Sequence, residues 1–472
     1  MTNRERLAIP PQEMRELPPL ERTHTLEEVA LGLTAEQAKR EASRCLGCPT
    51  KPCVRGCPVG IRIPDFLAAA AAGDFARALA IVRENSLLPA VCGRVCPQER
   101  QCQKFCTVGK VLKDVQQAVA IGRVERFVAD HAKNEPSPSI STCSCSPSSP
   151  RVAIVGSGPA SITCAADLAR AGFGVTMFEA FHQPGGVLVY GIPEFRLPKR
   201  IVACEIENLK ALGVEIVCDF VVGKTQKLAE MLKPVGEFDA VFVGTGAGLP
   251  KFMNIPGEEL IGVFSANEYL TRANLMKAYR EDRAATPYWH GKKVVVLGGG
   301  NVAMDAARMA LRLGAEEVNL VYRRSEQEMP ARAEEVAHAK AEGVRFLMLQ
   351  NAKRILGDEE GRVRAVECLK YELGECDASG RRSPVAIEGS EFTLAADTVV
   401  VAVGNGANPL IADTTPSLKV DSRGHVVVDE ETMMTSIPGV FAGGDIVLGA
   451  ATVILAMGEG RKAAAGIRKY LC

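Results

Sequence analysis

The sequence has no long apolar run. No segment approaches the roughly 18 consecutive apolar residues that a membrane-spanning helix needs, and the N-terminus lacks the apolar core of a signal peptide. The chain of 472 residues also has no net charge, because 56 basic side chains balance 56 acidic ones. Neither nucleic acid nor a membrane is therefore expected as a partner. We expect a globular protein of the cytoplasm.

Common catalytic signatures are missing as well. Neither Gly-x-Ser-x-Gly nor His-Glu-x-x-His occurs, which removes the usual signs of serine hydrolases and zinc peptidases. The six histidines are scattered. No cysteine pair lies in 185–198 or near 298–312, so disulfide exchange has no candidate there. We expect no side chain to act as a catalytic acid, base or nucleophile.

Cysteine, in contrast, is abundant, and eight of the 16 residues fall in two runs. The runs are Cys45-x2-Cys48-x4-Cys53-x3-Cys57 and Cys92-x3-Cys96-x5-Cys102-x3-Cys106. Clustered thiols in a long chain favour metal ligation over disulfides, and these spacings suit two [4Fe-4S] clusters. Structural zinc is the alternative, but it usually needs two Cys-x2-Cys pairs. By analogy with ferredoxins, Cys57 and Cys106 each ligate the cluster of the other run.

Residues 1–135 are predicted to form a helical domain, with helices over 26–44, 64–83 and 116–132. A Ser/Pro-rich linker follows at 136–150. It contains Cys143 and Cys145, which we interpret as exposed thiols on a tether rather than as ligands.

A βαβ pattern starts with a strand at 151–155 and continues into Gly156-x-Gly158-x-x-Ser161. The two glycines permit a tight turn and a close approach to a pyrophosphate, and the third position must be small. Glu179 ends the second strand, 23 residues after Gly156. A carboxylate there binds ribose hydroxyls and repels a 2′-phosphate, which favours FAD or NAD over NADP. The FAD-binding candidates are Gly156, Gly158, Pro159, Ala160, Glu179, Gly186, Gly246, Gly444, Asp445 and Thr452.

A second βαβ pattern starts with a strand at 293–297 and a Gly-rich turn, and its second strand ends at Tyr322-Arg323-Arg324. Guanidinium groups at this position pair with a 2′-phosphate, which favours NADP(H). A solvated basic pair is the alternative. The NADP-binding candidates are Gly298, Gly300, Asn301, Val302, Arg323, Arg324 and, more weakly, Arg332. Further strands are predicted at 240–243, 398–403 and 440–442. The fold class is therefore α/β, with two Rossmann-like dinucleotide-binding domains after the helical domain.

Longer stretches give the chain a resemblance to a known family: Cys92–Glu99, His182–Lys199, Ser265–Arg272 and Gly439–Asp445. Over nearly its whole length the chain resembles the NADPH-dependent small chain of glutamate synthase. Among related proteins it resembles the large subunit of an electron-bifurcating ferredoxin:NADP transhydrogenase. The linker and Ser161 depart from the family pattern. The resemblance implies a glutathione-reductase-like arrangement, in which an NADP domain (289–405) is inserted between two parts of an FAD domain (151–288 and 406–472).

The resemblance also implies a specific ligand set. One cluster takes Cys45, Cys48, Cys53 and Cys106, and the other takes Cys57, Cys96, Cys102 and Glu125. Cys92 is then a bystander. Ligation by all eight cysteines, the interpretation from spacing alone, is the alternative.

The implied activity is transfer of electrons between NADP(H), FAD and two [4Fe-4S] clusters. The implied partner is a second electron-transfer subunit with flavin or clusters, or ferredoxin, as in the transhydrogenase. The alternative is a large subunit of glutamate synthase. A cofactor-loaded assembly module is an alternative of another class, which the intact nucleotide motifs argue against.

Overall fold

A computed structural model of the chain describes residues 1–131, 149–280, 291–377 and 380–472, together with residue 282, residues 284–287 and residue 289. Most of the predicted linker at 136–150 lies outside the described residues, and so do Cys143 and Cys145. Among the described helices, none has the length and apolar character to cross a membrane.

The helices, in chain order, are α1 Asn3–Ala8, α2 Pro19–Arg22, α3 Ala35–Ala42, α4 Pro52–Arg55, α5 Ile63–Ala72, α6 Phe75–Arg83, α7 Pro89–Val95, α8 Thr107–Val111, α9 Ile121–His131, α10 Pro159–Arg170, α11 Val187–Tyr190, α12 Lys199–Ala211, α13 Leu228–Met231, α14 Ala266–Asn274, α15 Asn301–Arg312, α16 Ala333–Ala341, α17 Leu410–Thr414, α18 Asp445–Leu448 and α19 Val453–Leu471. Short 3₁₀ turns occur at Gln98–Arg100, Gln103–Phe105, Val115–Gln117 and Glu326–Glu328.

The strands are β1 Arg15–Glu16, β2 Ala30–Gly32, β3 Arg151–Val155, β4 Gly174–Phe178, β5 Glu215–Val217, β6 Ala240–Val243, β7 Leu249–Pro250, β8 Val263–Ser265, β9 Lys293–Leu297, β10 Glu317–Tyr322, β11 Arg345–Met348, β12 Gln350–Gly357, β13 Val363–Cys376, β14 Arg382–Ala386, β15 Phe392–Ala395, β16 Thr398–Val401, β17 Asn405–Gly406 and β18 Val440–Ala442.

The N-terminal region is mainly helical, as predicted, but its helices are shorter. Thr34 accepts a hydrogen bond from the backbone of Gln37 and starts α3, so the helix predicted from residue 26 starts too early. The helix predicted over 64–83 divides into α5 and α6. Gly73 ends α5 in the left-handed conformation (φ +84°), and the Asp74 carboxylate caps the start of α6.

A five-stranded sheet with the order β18-β6-β3-β4-β5 forms the first dinucleotide-binding domain. All four pairings are parallel. Strands that are covered on both faces are uniformly apolar, which explains why β3, β6 and β18 were predicted with these bounds. Because β18 comes from the C-terminal part of the chain, two separate segments build this one domain.

The second sheet has the order β11-β10-β9-β16-β8 and is also parallel throughout. Strand β8 pairs with β16 from Val263↔Val399 to Ser265↔Val401. Strand β8 therefore joins the second sheet ahead of the domain boundary predicted between residues 288 and 289, which stays a prediction. The strand is only three residues long and half-buried, so its sequence gives little signal.

Strands β12 to β15 form a separate antiparallel sheet that the sequence did not predict. Its long strand β13 pairs with all three neighbours. This sheet packs on the second domain, where Val366 and Cys368 join the apolar core beneath β9 and β16.

The helical region does not stand apart from the rest of the chain. Phe66, Leu67 and Val91 of this region share one buried apolar core with Ile154 of the first sheet and Met457 of α19. The predicted cysteine runs therefore lie against the first dinucleotide-binding domain.

Candidate cofactor sites

A cavity of about 850 Å³ opens between the two dinucleotide-binding domains. All ten residues predicted to bind FAD line it: Gly156, Gly158, Pro159, Ala160, Glu179, Gly186, Gly246, Gly444, Asp445 and Thr452. The carboxyl ends of β3 and β6 open into this space, as expected for ligand sites of parallel sheets. Sequence reasoning missed further lining residues such as Tyr190, Asn267 and Arg272, which lie outside the glycine motifs.

The first glycine loop has the geometry of a phosphate cradle. Gly156 has φ +91°, and a Cβ atom there would lie 2.7 Å from the Gly244 carbonyl oxygen. Gly158 directly precedes α10, so the free N–H groups at the start of this helix face the cavity. No room is left for a side chain at Gly156, and the exposed backbone suits a pyrophosphate.

Glu179 is buried and already oriented by its neighbours. The Ser157 hydroxyl donates to one carboxylate oxygen, and the Phe181 N–H donates to the other at 2.8 Å. Ser157 in turn accepts a bond from the Gly185 N–H at 2.8 Å. Sequence reasoning assigned no role to Ser157, although it stands between the two glycines. The fixed carboxylate can accept bonds from ribose hydroxyls.

Burial shifts ionisable groups elsewhere in the cavity towards their neutral forms. Burial raises the pKa of Asp445, at the start of α18, to about 6. It also raises the pKa of Tyr190 to about 12. The carboxylate that predominates above this pKa accepts hydrogen bonds, which fits a hydroxyl-bearing ligand chain passing Asp445.

The second glycine loop reaches the same cavity through Asn301 and Val302. A Cβ atom at Gly298 would lie 2.4 Å from the Ala402 carbonyl oxygen, so this position also requires glycine. Gly300 precedes α15 and places the start of that helix at the loop.

The three predicted arginines have different surroundings. Arg323 is exposed at the end of β10. Arg324 is buried, and its guanidinium donates to the Asp377 carboxylate (2.8 Å) and the Arg382 carbonyl (2.8 Å). Arg332 points to the helical region, where it donates to the Arg94 carbonyl at 2.5 Å. Of these three arginines, only Arg323 has a guanidinium that forms no such bond to another described residue.

Four of the cysteines surround one small cavity: Cys45, Cys48, Cys53 and Cys106. Burial, together with the nearby thiols of Cys45 and Cys106, raises the pKa of Cys53 to about 12. Among the described residues, no three His, Cys, Asp or Glu side chains converge on a single-ion position. In a four-iron cluster each iron takes its own protein ligand, usually a thiolate. These thiols surround a cavity and make one another's ionisation less favourable. Bound iron would offset the charge of the thiolates, so the four residues suit such a cluster.

A second group brings together Cys57, Cys96, Cys102 and Glu125. Burial raises the pKa of Cys57 to about 11, and Glu125 and Cys96 lie close enough to affect it. Burial also raises the pKa of Glu125 to about 8. Its Oε1 atom has no hydrogen-bond partner among the described residues. Such a buried, unpartnered carboxyl oxygen fits a metal ligand.

Cys92 lies beside the second group but has other partners. Its Sγ atom is 3.5 Å from Met457 Sδ and 4.0 Å from the Ser86 hydroxyl. It also forms a hydrogen bond with Cys96.

The second cysteine group lies between the first group and the large cavity. Val95 and Pro97, which flank Cys96, line the large cavity. Cys102 of the second group lies near Cys53 of the first, since Cys53 contributes to the raised pKa of Cys102. Each group contains two half-buried cysteines, Cys45 and Cys48 in the first and Cys57 and Cys102 in the second.

Comparisons with known proteins define the class. Residues 22–137 match the family described as dihydropyrimidine dehydrogenase domain II, 4Fe-4S cluster, and residues 150–460 match the pyridine nucleotide-disulphide oxidoreductases. The solved structure of Mycobacterium tuberculosis FprA in complex with NADPH has the same fold, with a TM-score of 0.57 and 21% identity over 68% of this chain and 84% of that chain. These matches confirm the predicted fold class.

The particular family follows from the relatives. The chain is 37% identical to the glutamate synthase [NADPH] small chain of Azospirillum brasilense over 467 residues, which are 96% of this chain and 93% of that one. It is 40% identical over 444 residues to the β subunit of the NADP⁺-dependent formate dehydrogenase of Moorella thermoacetica. That match covers 89% of this chain but only 60% of the relative's length. The chain belongs to the glutamate synthase small-chain family.

Membership of this family confirms the predicted resemblance and the predicted class of enzyme. The chain is an NADP-dependent iron–sulfur flavoprotein oxidoreductase. Its cofactors are FAD, NADP(H) and [4Fe-4S] clusters.

Proposed function

We propose that the chain is a subunit that passes electrons between NADP(H) and a partner protein through two [4Fe-4S] clusters. The observation that carries this proposal is the cavity lined by both dinucleotide loops and by Val95 and Pro97 beside Cys96. Bound FAD and NADP(H) supply hydride exchange, and the clusters supply single-electron transfer.

The chain's own residues bind and orient these groups. The backbone of the Gly156 loop and the start of α10 hold a pyrophosphate, and Glu179 fixes the FAD ribose. Asn301 and Val302 contact NADP(H) at the cavity. Arg323 pairs with the 2′-phosphate, because it has the exposed guanidinium at the end of β10. Arg324, whose guanidinium is bonded to Asp377, stabilises the neighbouring hairpin.

The two clusters divide the ligands as the family resemblance implies. Cys45, Cys48, Cys53 and Cys106 hold the cluster farther from the large cavity. Cys57, Cys96, Cys102 and Glu125 hold the cluster beside the cavity. The unpartnered Glu125 oxygen supports its role as fourth ligand, and the contacts of Cys92 with Ser86 and Met457 support a packing role for that thiol.

A patch beside the first cluster supports docking of a partner there. The segment around Cys106 exposes three lysines, four apolar side chains and one carboxylate: Lys104, Phe105, Lys110, Val111, Leu112, Lys113, Asp114 and Val115. Three lysines against the single carboxylate of Asp114 give this surface a net positive charge, which suits an acidic electron-transfer protein or subunit. Apolar side chains among the lysines provide area that a partner can bury.

The test is NADPH oxidation by the anaerobically purified chain with an artificial one-electron acceptor. We expect oxidation with NADPH as the preferred coenzyme. We also expect Lys110→Glu plus Lys113→Glu to weaken reduction of an acidic iron–sulfur protein while leaving reduction of a small neutral acceptor unchanged. A chain that contains FAD and iron but fails to oxidise NADPH would refute the proposal.

A role as the small chain of a glutamate synthase is the second candidate. It is favoured by the match to the Azospirillum brasilense small chain over 93% of that chain's length. Identification of the protein that co-purifies with the chain separates the two candidates. A large glutamate-forming subunit would support the second, and a flavin or iron–sulfur subunit the first. We place either complex in the cytoplasm, because clustered cysteines in a long chain favour metal ligation over disulfides.

A further inference from the structure

The segment Met329–Arg332 joins the second dinucleotide-binding domain to the second cysteine run. On one side, the Arg332 N–H donates to the Asn301 side chain at 2.9 Å and thereby contacts the nucleotide loop. On the other side, the Arg100 guanidinium donates to the carbonyl of Met329 at 2.8 Å and to that of Pro330 at 2.9 Å. This short segment therefore lies between the nucleotide loop and the run that carries Cys96.

The Arg332 side chain itself lies in the helical region and is buried. It donates to the Arg94 carbonyl at 2.5 Å and to the Gln98 side chain at 3.4 Å. Arg94 and Gln98 stand two residues before and two residues after Cys96. The guanidinium consequently holds both flanks of this cysteine from the opposite domain.

The charge of the Arg332 guanidinium lies beside the second cysteine group, because its two hydrogen-bond partners flank Cys96. The Glu334 carboxylate accepts a bond from the same guanidinium at 2.5 Å. A positive charge and a negative charge thus lie at the edge of the second cysteine group.

We propose that Arg332 is a positioning residue that orients the second cysteine run and raises the reduction potential of its cluster. The inference rests on the proposed function, since it requires a cluster at Cys57, Cys96, Cys102 and Glu125. Reduction adds negative charge to a cluster, and a nearby buried cation stabilises that charge in a medium of low dielectric constant. Glu334 acts in the opposite direction.

The test is a potentiometric titration of the full chain, followed by the electron paramagnetic resonance signals of the two clusters. Arg332→Gln should lower the potential of one cluster and leave the other unchanged. Glu334→Gln should raise the potential of that same cluster. Arg332→Lys, which keeps the charge, should restore most of the wild-type potential. If charge is the cause, Arg332→Gln and Glu334→Gln shift the cluster potential in opposite directions. If both substitutions only loosened the contact between the domains, they would shift the potential in the same direction.

Arg100→Gln is the matched control, because it removes bonds to the same segment from the other side and should leave both potentials unchanged. If Arg332→Gln leaves both potentials unchanged but selectively weakens NADPH binding, Arg332 is a 2′-phosphate ligand and the inference is wrong. It is also wrong if Arg100→Gln reproduces the shift of Arg332→Gln. If Arg332→Gln fails to fold, an unchanged cluster potential in Glu334→Gln contradicts the inference. A chain without iron would instead refute the proposed function.

Discussion

Arg323 and Arg324 are neighbours in sequence but have different surroundings. Arg323 is exposed, whereas Arg324 is buried against Asp377 and the Arg382 carbonyl. A charge-assisted bond contributes about 1.5–3 kcal/mol. Arg323→Gln should therefore weaken NADPH binding about tenfold to a hundredfold and leave NADH nearly unchanged. The measurement is the dissociation constant of each coenzyme.

Arg324→Gln is the control for this prediction. It removes the ion pair with the Asp377 carboxylate and should lower the thermal stability while affecting the two coenzymes alike. Equal losses of NADPH and NADH in Arg323→Gln would contradict the assignment of the 2′-phosphate site.

Glu125 and Cys92 compete for one place in the ligand set. Glu125 has an unpartnered buried oxygen, whereas Cys92 packs against Met457 and Ser86. We expect Cys92→Ser to retain both clusters and Glu125→Ala to alter the spectrum or potential of one cluster while FAD content stays normal. If Cys92→Ser loses about four irons per chain and Glu125→Ala loses none, the all-cysteine ligand set is right.

Some contacts of single side chains could not be predicted from the sequence. Arg324 binds Asp377, 53 residues away, and Arg332 binds the Arg94 carbonyl, 238 residues away. No local pattern reports such partners. The glycines and Glu179 were predictable because their requirement is local: a tight turn, a helix start and the end of the next strand.

The strands also divide into those that could be predicted from local sequence and those that could not. Strands β3, β6, β9 and β18 have the predicted bounds because each is an apolar run covered on both faces. The sheet of β12 to β15 was missed, because much of β13 alternates between half-buried and exposed positions and has a weak apolar signal.

At the glycine loop after β3, the effect of a steric clash can be separated from the effect of backbone strain. Gly156 and Gly314 have nearly the same left-handed conformation, with φ +91° and +92°. Alanine at either position costs about 1–2 kcal/mol of backbone strain. Only at Gly156 would the new Cβ atom also meet a carbonyl oxygen, at 2.7 Å. Gly156→Ala should lose FAD, and Gly314→Ala should keep it. Equal FAD content in the two purified variants would show that the loop does not hold this cofactor.

Residues from distant parts of the chain form four neighbouring sites. The nucleotide cavity lies beside the second cysteine group, the second group lies beside the first, and the first shares Cys106 with the segment that carries the patch. The shared apolar core of the helical region and the first sheet fixes this order. Electron transfer therefore requires no large movement of the helical region relative to that sheet.

The most direct test is the content of iron, acid-labile sulfide and FAD in the anaerobically purified full chain. Two four-iron clusters and one flavin predict about eight irons, about eight sulfides and one FAD per chain. After chemical reduction, two cluster signals should appear in the electron paramagnetic resonance spectrum. Zinc in place of iron, or only about four irons in a chain saturated with FAD, would contradict the path through two clusters.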